Sequence, residues 1–185
     1  MSKKFTFESI GSFELTQPNM RVSDPCFNKD VWCSRVLPNC RPGTWEAAVA
    51  HIDSNFWGHR VAALVVRHTD GPAFKRFESV RLDRVPKGIE IFPDDAGVDS
   101  GQCGFFDDAF FRDDKDCEGI ETTVDYGSPW YNVCCDITLS EEMGGIIPHG
   151  AVSSSGAGDG GYPIYYIEKD GQVAAAMLQF LDFDD

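Results

Sequence analysis

Thr44-Trp45-Glu46-Ala47-Ala48-Val49-Ala50-His51-Ile52 and, a short way on, Arg60-Val61-Ala62-Ala63-Leu64-Val65-Val66-Arg67-His68 are the stretches whose reading decides the fold. In the first, Trp45, Ala47 and Val49 alternate as a strand requires, although Glu46-Ala47-Ala48 also suits a helix. The second is rich in β-branched residues and reads as a strand without ambiguity. Asn55-Phe56-Trp57-Gly58 between them has the composition of a turn. The pair is therefore expected to form a β-hairpin, and the rest of the chain is read around it.

Toward the N-terminus, Lys4 to Glu8 and Ser12 to Thr16 alternate polar and apolar residues on either side of a Ser-Ile-Gly turn. Asp24-Pro25-Cys26-Phe27-Asn28 has turn chemistry, and Val31 to Val36 reads as a short strand. Toward the C-terminus, Phe74 to Val85 suggests one more strand and Ile89 to Phe92 a brief extended piece. One convincing helix begins at Ser128-Pro129, where Ser can accept from first-turn N–H groups and Pro at the first position loses no hydrogen bond. Asp107 to Arg112 suggests a shorter helical turn. Tyr162 to Glu168 and Gln172 to Phe183 form a second hairpin around Asp170-Gly171. Its aromatics, Tyr162, Tyr165, Tyr166, Phe180 and Phe183, suit cross-strand packing. The expected class is α+β, mainly β: one domain over residues 1–185, an antiparallel, sandwich-like sheet with one or two short helices.

Charge is divided along this chain. Residues 1–93 carry thirteen Lys and Arg against ten Asp and Glu, a balance of +3. Residues 94–185 carry three bases against twenty acids, a balance of −17. Such a field attracts cationic partners and repels nucleic acid and anionic membrane surfaces. No run approaches the roughly 20 apolar residues of a membrane span, and the N-terminus has no apolar stretch of signal-peptide length. A soluble, cytoplasmic protein is expected. Seven cysteines, with no C-x-x-C pair, read as reduced thiols packed as small hydrophobes.

Two glycine-rich segments are the candidate sites. The first runs from Gly97 to Asp108 and contains Asp99 and Ser100; the second runs from Ser153 to Tyr162 and contains Ser155 and Asp159. Glycine belongs where the backbone takes positive φ or must approach another group closely, so these segments can build a polar ligand pocket. The same composition also serves turns in which Asp bonds its own backbone. Both readings stay open. Asp99, Ser100, Ser155, Asp159 and Tyr162 are the candidate ligand-binding residues.

Val98-Asp99-Ser100-Gly101, followed by Phe106-Asp107, and Ser155-Gly156-x-Gly158-Asp159-Gly160-Gly161-Tyr162 resemble a bacterial and phage family of unknown function. Asp24-Pro25-Cys26-Phe27 and Trp57-Gly58-x-Arg60-Val61 are similar to phage-type members. The resemblance implies that the two glycine-rich segments belong to a recurring design; it brings no activity, cofactor or catalytic residue with it.

Other chemistries find less support. Asp114, Asp116, Glu118 and Asp125 fall at positions 1, 3, 5 and 12 of a calcium-loop pattern, with Gly119 at position 6. Glu121 stands where an apolar residue belongs, and Tyr126-Gly127-Ser128-Pro129 interrupts the helix that should follow. No G-x-S-x-G, G-K-[ST] or strand-led G-x-G-x-x-G is present, so no cofactor is expected. The functional expectation is a non-catalytic acidic protein that docks a basic partner surface. The alternative is an enzyme or small-ligand protein with a polar site at the glycine-rich segments, anchored by Asp99 and Asp159.

Overall fold

The hairpin of Gly43–Ser54 and Gly58–His68 is the spine of the larger sheet in the computed structural model, which describes residues 4–182. In chain order the first strands are β1 (Phe7–Leu15), β2 (Met20–Ser23), β3 (Arg35–Leu37), β4 (Gly43–Ser54), β5 (Gly58–His68) and β6 (Glu90–Ile91). β7 (Ala96–Val98) and β8 (Gln102–Asp107) follow, then a long acidic loop and the helix α1 (Pro129–Thr138). β9 (Gly144–Ile147), β10 (Gly150–Ser154), β11 (Gly160–Tyr162), β12 (Ile164–Lys169) and β13 (Gln172–Gln179) complete the set.

These strands make a six-stranded sheet ordered β1-β4-β5-β13-β12-β6 and a five-stranded sheet ordered β3-β2-β8-β10-β9. A small ribbon pairs β11 with β7. The pairing within all three is antiparallel and neither large sheet closes into a barrel, so the architecture is the mainly β one expected.

Alternation along the strands shows how the layers stack. One apolar cluster joins Trp45, Val49, Leu64 and Leu178 of the larger sheet to Met20, Val22, Phe105 and Ala151 of the smaller, and lies between them. The opposite face of the larger sheet, with Ala48, Ala50, Val65 and Met177, is covered by Phe5, Phe77, Val80 and Ile89. The outer face of the smaller sheet presents Phe106, Val152 and Ile147 to Trp130 and Cys134 of α1 and to Phe111 and Cys117. Both faces of both sheets are therefore covered. This is why Val61 to Val66 form an unbroken apolar run: every side chain in it is buried.

The helix starts as its sequence dictates: Ser128 is the cap, its Oγ accepting from Tyr131 N at 3.3 Å, and Pro129 takes the first position. The C-terminal hairpin turns at Asp170 (φ 54°) and Gly171 (φ 78°), the two left-handed residues that such a tight hairpin demands.

Several expectations are corrected. The N-terminal pair of strands is one strand, β1, interrupted by a bulge between Ser9 and Gly11. Gly11 is there for clearance, because a Cβ on it would lie 2.7 Å from Ile146 Cγ1. Phe74 to Val85 is not a strand; it opens with a 3₁₀ turn, Phe74–Phe77, and its apolar residues recur at intervals of three to press Phe77 and Val80 onto the larger sheet. Strand structure in Val31 to Val36 starts only at Arg35. Asp107 to Arg112 is not helical, because Asp107 ends β8 and turns follow it. The segment from Gly97 to Asp108 is no mere loop: it holds most of β7 and all of β8, and β8 is buried along its whole length in the middle of the smaller sheet. Phe183, read from sequence as one of the hairpin aromatics, lies outside the described residues.

The two differently charged halves of the sequence are not two lobes. Each large sheet takes strands from both: β1, β4 and β5 join β12 and β13, while β2 and β3 join β8, β9 and β10. No helix among the described residues is long and apolar enough to cross a membrane.

Candidate functional site

The two glycine-rich segments meet. β7 and β11 pair so that Gly160 faces Val98, Gly161 faces Gly97 and Tyr162 faces Ala96. Ser155 N also donates to Gly101 O at 2.9 Å. Within the second segment Ser155 Oγ and Tyr162 Oη both donate to Gly158 O, at 2.7 and 2.8 Å, across a glycine with φ of 104°. These two candidate residues therefore commit their polar atoms to shaping their own loop. Tyr162 is buried and its phenol is raised, chiefly by burial. Asp159 is exposed at the tip of the loop.

The residue that organises the junction is Asp24, which the sequence offers as part of a turn and of the Asp24-Pro25-Cys26-Phe27 motif but not as a candidate site residue. It follows β2, whose Ser23 pairs with Gly104 of β8, and this register sets it beside the tight turn that precedes β8. Its side chain is fully buried. Oδ2 accepts from Asp99 N at 2.8 Å and Ser100 N at 2.6 Å; Oδ1 accepts from Ser100 Oγ at 2.6 Å and Cys26 N at 2.7 Å. Successive backbone N–H groups converging on one anion form a nest, and here the anion is part of the chain. Burial pushes the Cys26 thiol up to about 12, with the hydrogen bond and charge of Asp24 adding to it, so this thiol stays protonated at neutral pH. Tyr131, near Ser100 and Cys135, is likewise raised to about 12, first by burial.

The pinned turn separates two cavities. On one side lies an open groove of about 650 Å³ whose wall includes Gly97, Val98, Asp99, Gly160 and Gly161. Its other wall comes from Phe27, Val31, Trp32 and Cys33 of the loop before β3 and from Arg35, the first residue of that strand. Trp32 is 83 % exposed. Arg35 is tethered, its Nε donating to Asp95 O at 2.7 Å and its Nη1 to Trp32 O at 3.0 Å. Gly97 is required for the walls to meet, since a Cβ there would sit 2.5 Å from Cys33 Sγ. On the other side of the turn, Ser100 and Gly101 border a smaller pocket against α1.

The aromatic–acid motif at Phe106-Asp107-Asp108 is structural. Asp107 is buried and accepts from Thr16 N, Thr16 Oγ1, Gln17 Nε2 and Ala109 N. Burial alone would raise its pKa; these donors together outweigh it and hold the carboxyl below its usual 3.8. Asp108 accepts from Arg21 Nε at 2.6 Å, and Arg21 is itself buried and packed over the Phe111 ring.

The residues of the calcium pattern are engaged separately. Asp114 Oδ1 accepts from Ser128 Oγ at 2.7 Å and Trp130 N at 2.9 Å, an extra cap on α1. Asp125 Oδ1 accepts from Gly127 N, Asp116 lies 3.4 Å from His149 Nε2, and Glu118 is exposed. Among the described residues no three His, Cys, Asp or Glu side chains gather as metal ligands. All seven cysteines are free thiols. The histidines lie apart from the serine cluster in their contacts: His51 bonds Glu142 O, His59 Asp53, and His68 Pro42 O, while His149 stacks on Phe110.

Neither the curated proteins nor the solved structures contain a match to this chain. A family model does match, over residues 13–178, a span that takes in both glycine-rich segments, Asp24 and all the strands of the smaller sheet. The expectation of a family without an assigned function holds: the chain belongs to the family described as protein of unknown function DUF4241.

Proposed function

We propose that this chain is a non-catalytic binding protein that docks a basic surface of a partner protein in the groove between Trp32 and the paired glycine segments. One observation carries the reading: an 83 % exposed Trp32 shares an open groove of about 650 Å³ with the carboxylates Asp95 and Asp99. A large apolar ring left in water beside acids suits an Arg or Lys side chain, whose stem packs on the ring while its charge meets the carboxylates. Asp94 and Asp159 are exposed next in sequence to wall residues and add to the field. The one cation in the wall, Arg35, already donates to two carbonyl groups. The net charge of −14 would speed the approach of such a partner.

A titration of the whole chain with a short arginine- and leucine-rich peptide tests this, with a glutamate counterpart as control. Wild type is expected to bind the basic peptide at low salt and to lose it as salt rises, since exposed charges are screened over about 10 Å at 0.1 M. Trp32→Ala and the double change Asp95→Asn, Asp99→Asn should each weaken binding by about tenfold. Asp99→Asn alone should leave the melting temperature unchanged, because Asp24 engages only its backbone N–H. Equal binding by these variants and wild type would remove the groove from the proposal.

The alternative, a polar small-ligand site held by Asp99 and Asp159 together, has weaker support. Asp99 borders the groove, whereas Asp159 is not among its wall residues.

A further inference from the structure

We propose that the smaller pocket, on the far side of the Asp99–Gly101 turn from the groove, is a separate binding site for a neutral sugar ring. The pocket is about 250 Å³, below the roughly 300–1,000 Å³ of drug-sized sites, and so suits one small ring. Ser100 of the turn, Gln102 at the start of β8, Tyr131 and Thr138 of α1, and Ser154 at the end of β10 contribute to its wall.

The polar atoms there are prepared but not saturated. Ser100 Oγ gives its proton to Asp24 and keeps acceptor capacity. Gln102 is buried; its Nε2 donates to Cys135 Sγ at 3.4 Å and its Oε1 accepts from Thr138 Oγ1 at 3.1 Å, leaving one amide hydrogen. Ser154 Oγ is buried and has no hydrogen-bond partner among the described residues, so a ligand would reach it by a rotation of its side chain toward the pocket. A buried hydroxyl without a partner costs about 1–3 kcal/mol and calls for an explanation, and a ligand hydroxyl supplies one.

The class of ligand follows from what the wall lacks. None of its residues is Asp, Glu, Lys, Arg or His. A charged ligand would lose hydration there and meet no opposite charge, and an anion would also face the carboxylate of Asp24 beneath Ser100. Hydroxyl-lined walls match a ligand that both donates and accepts in several directions. At the mouth, Tyr126 is 65 % exposed, its ring 5.8 Å from that of Tyr131 and tilted by 53°. That geometry offers one aromatic face for the C–H side of a sugar, not the parallel slot that clamps a flat base.

The test is saturation-transfer NMR on the full chain with glucose, galactose, mannose and N-acetylglucosamine, alongside adenosine and glucose 6-phosphate. At least one neutral sugar should bind in the millimolar range, with adenosine and the phosphate silent. Ser154→Ala should weaken it by about tenfold, and so should Tyr126→Ala, an exposed position whose change leaves folding intact. Asp99→Asn, on the groove side, should leave sugar binding unchanged, which separates this site from the peptide groove. Silence from all four sugars, binding of adenosine instead, or undiminished binding by both Ser154→Ala and Tyr126→Ala would overturn the proposal.

Discussion

The two large sheets are fastened by different chemistry. The six-stranded sheet holds through side-chain burial and two local hairpins, β4–β5 and β12–β13, with fully buried Trp45, Leu64, Val65 and Met177 on its faces. The five-stranded sheet has one short hairpin, β9–β10, and one looser consecutive pair, β2–β3; its central pairings, β2–β8 and β8–β10, join strands distant in sequence. Its margins are tied by carboxylates: Asp24 to the turn before β8, Asp107 to Thr16 and Gln17, and Asp108 to Arg21. The difference shows what part of the acidity in this sequence is for. Several acids that look like surface charge are hydrogen-bond acceptors that close loops, among them Asp114 and Asp136 around α1.

Substitution can break this comparison. The largest effect is expected from Trp45→Ala in the six-stranded sheet, a loss of about 4 kcal/mol from the cavity left behind. Its size in denaturant unfolding should be the same at pH 5 and pH 8. Asp24→Ala should come next, at about 3 kcal/mol, because it removes a fully buried carboxylate and leaves part-buried N–H groups of Asp99 and Ser100 without their acceptor. Asp24→Asn should recover little of that, since its amide hydrogens would face other donors. A cost under about 1 kcal/mol for Asp24→Ala would show that the smaller sheet does not depend on its carboxylate ties.

Acid sharpens the comparison further. A carboxyl held below its unfolded value contributes stability above that value and loses it as pH falls through the lowered one. Asp107 therefore stabilises the protein above its usual 3.8, and the contribution fades in more acidic solution. Unfolding curves of Asp107→Asn should show a shallower loss of stability below about pH 4 than wild type. Identical slopes would mean that Asp107 is not an acid-sensitive tie. The smallest effect concerns the thiols. With Cys26 raised to about 12 and the other six buried, iodoacetamide should label the folded protein slowly and all seven sites only after unfolding. Rapid labelling at Cys26 would contradict the environment ascribed to Asp24.

What could be read from the sequence follows the same division. The hairpins of the six-stranded sheet were legible because their signals are local: the run Val61 to Val66, Asp170-Gly171, and Ser128-Pro129 for the helix. β8 was not, because Gln102-Cys103-Gly104-Phe105-Phe106-Asp107 is poor in β-branched residues and its partners β2 and β10 are distant. The two glycine-rich segments pair with each other, yet Asp24, which bonds their junction, is not among the candidate residues that sequence offers. Asp24 bonds to donors 75 and 76 positions away, and nothing within its own turn announces them. The one trace was Asp24-Pro25-Cys26-Phe27, noticed as a motif but not as a ligand to the turn. Ser155 and Tyr162 were chosen for their polarity, which the fold uses to shape the loop that carries them.

The position of β13 between β5 and β12 has a consequence for synthesis. Translation delivers β1, β4 and β5 long before the strand that must lie against β5. Until Gln172–Gln179 emerges from the ribosome, the nascent chain displays a bare apolar edge at Ala63–Arg67, the kind of edge that recruits other chains. Chains truncated before Gln172 should therefore aggregate, whereas chains that extend through Gln179 should have that edge covered.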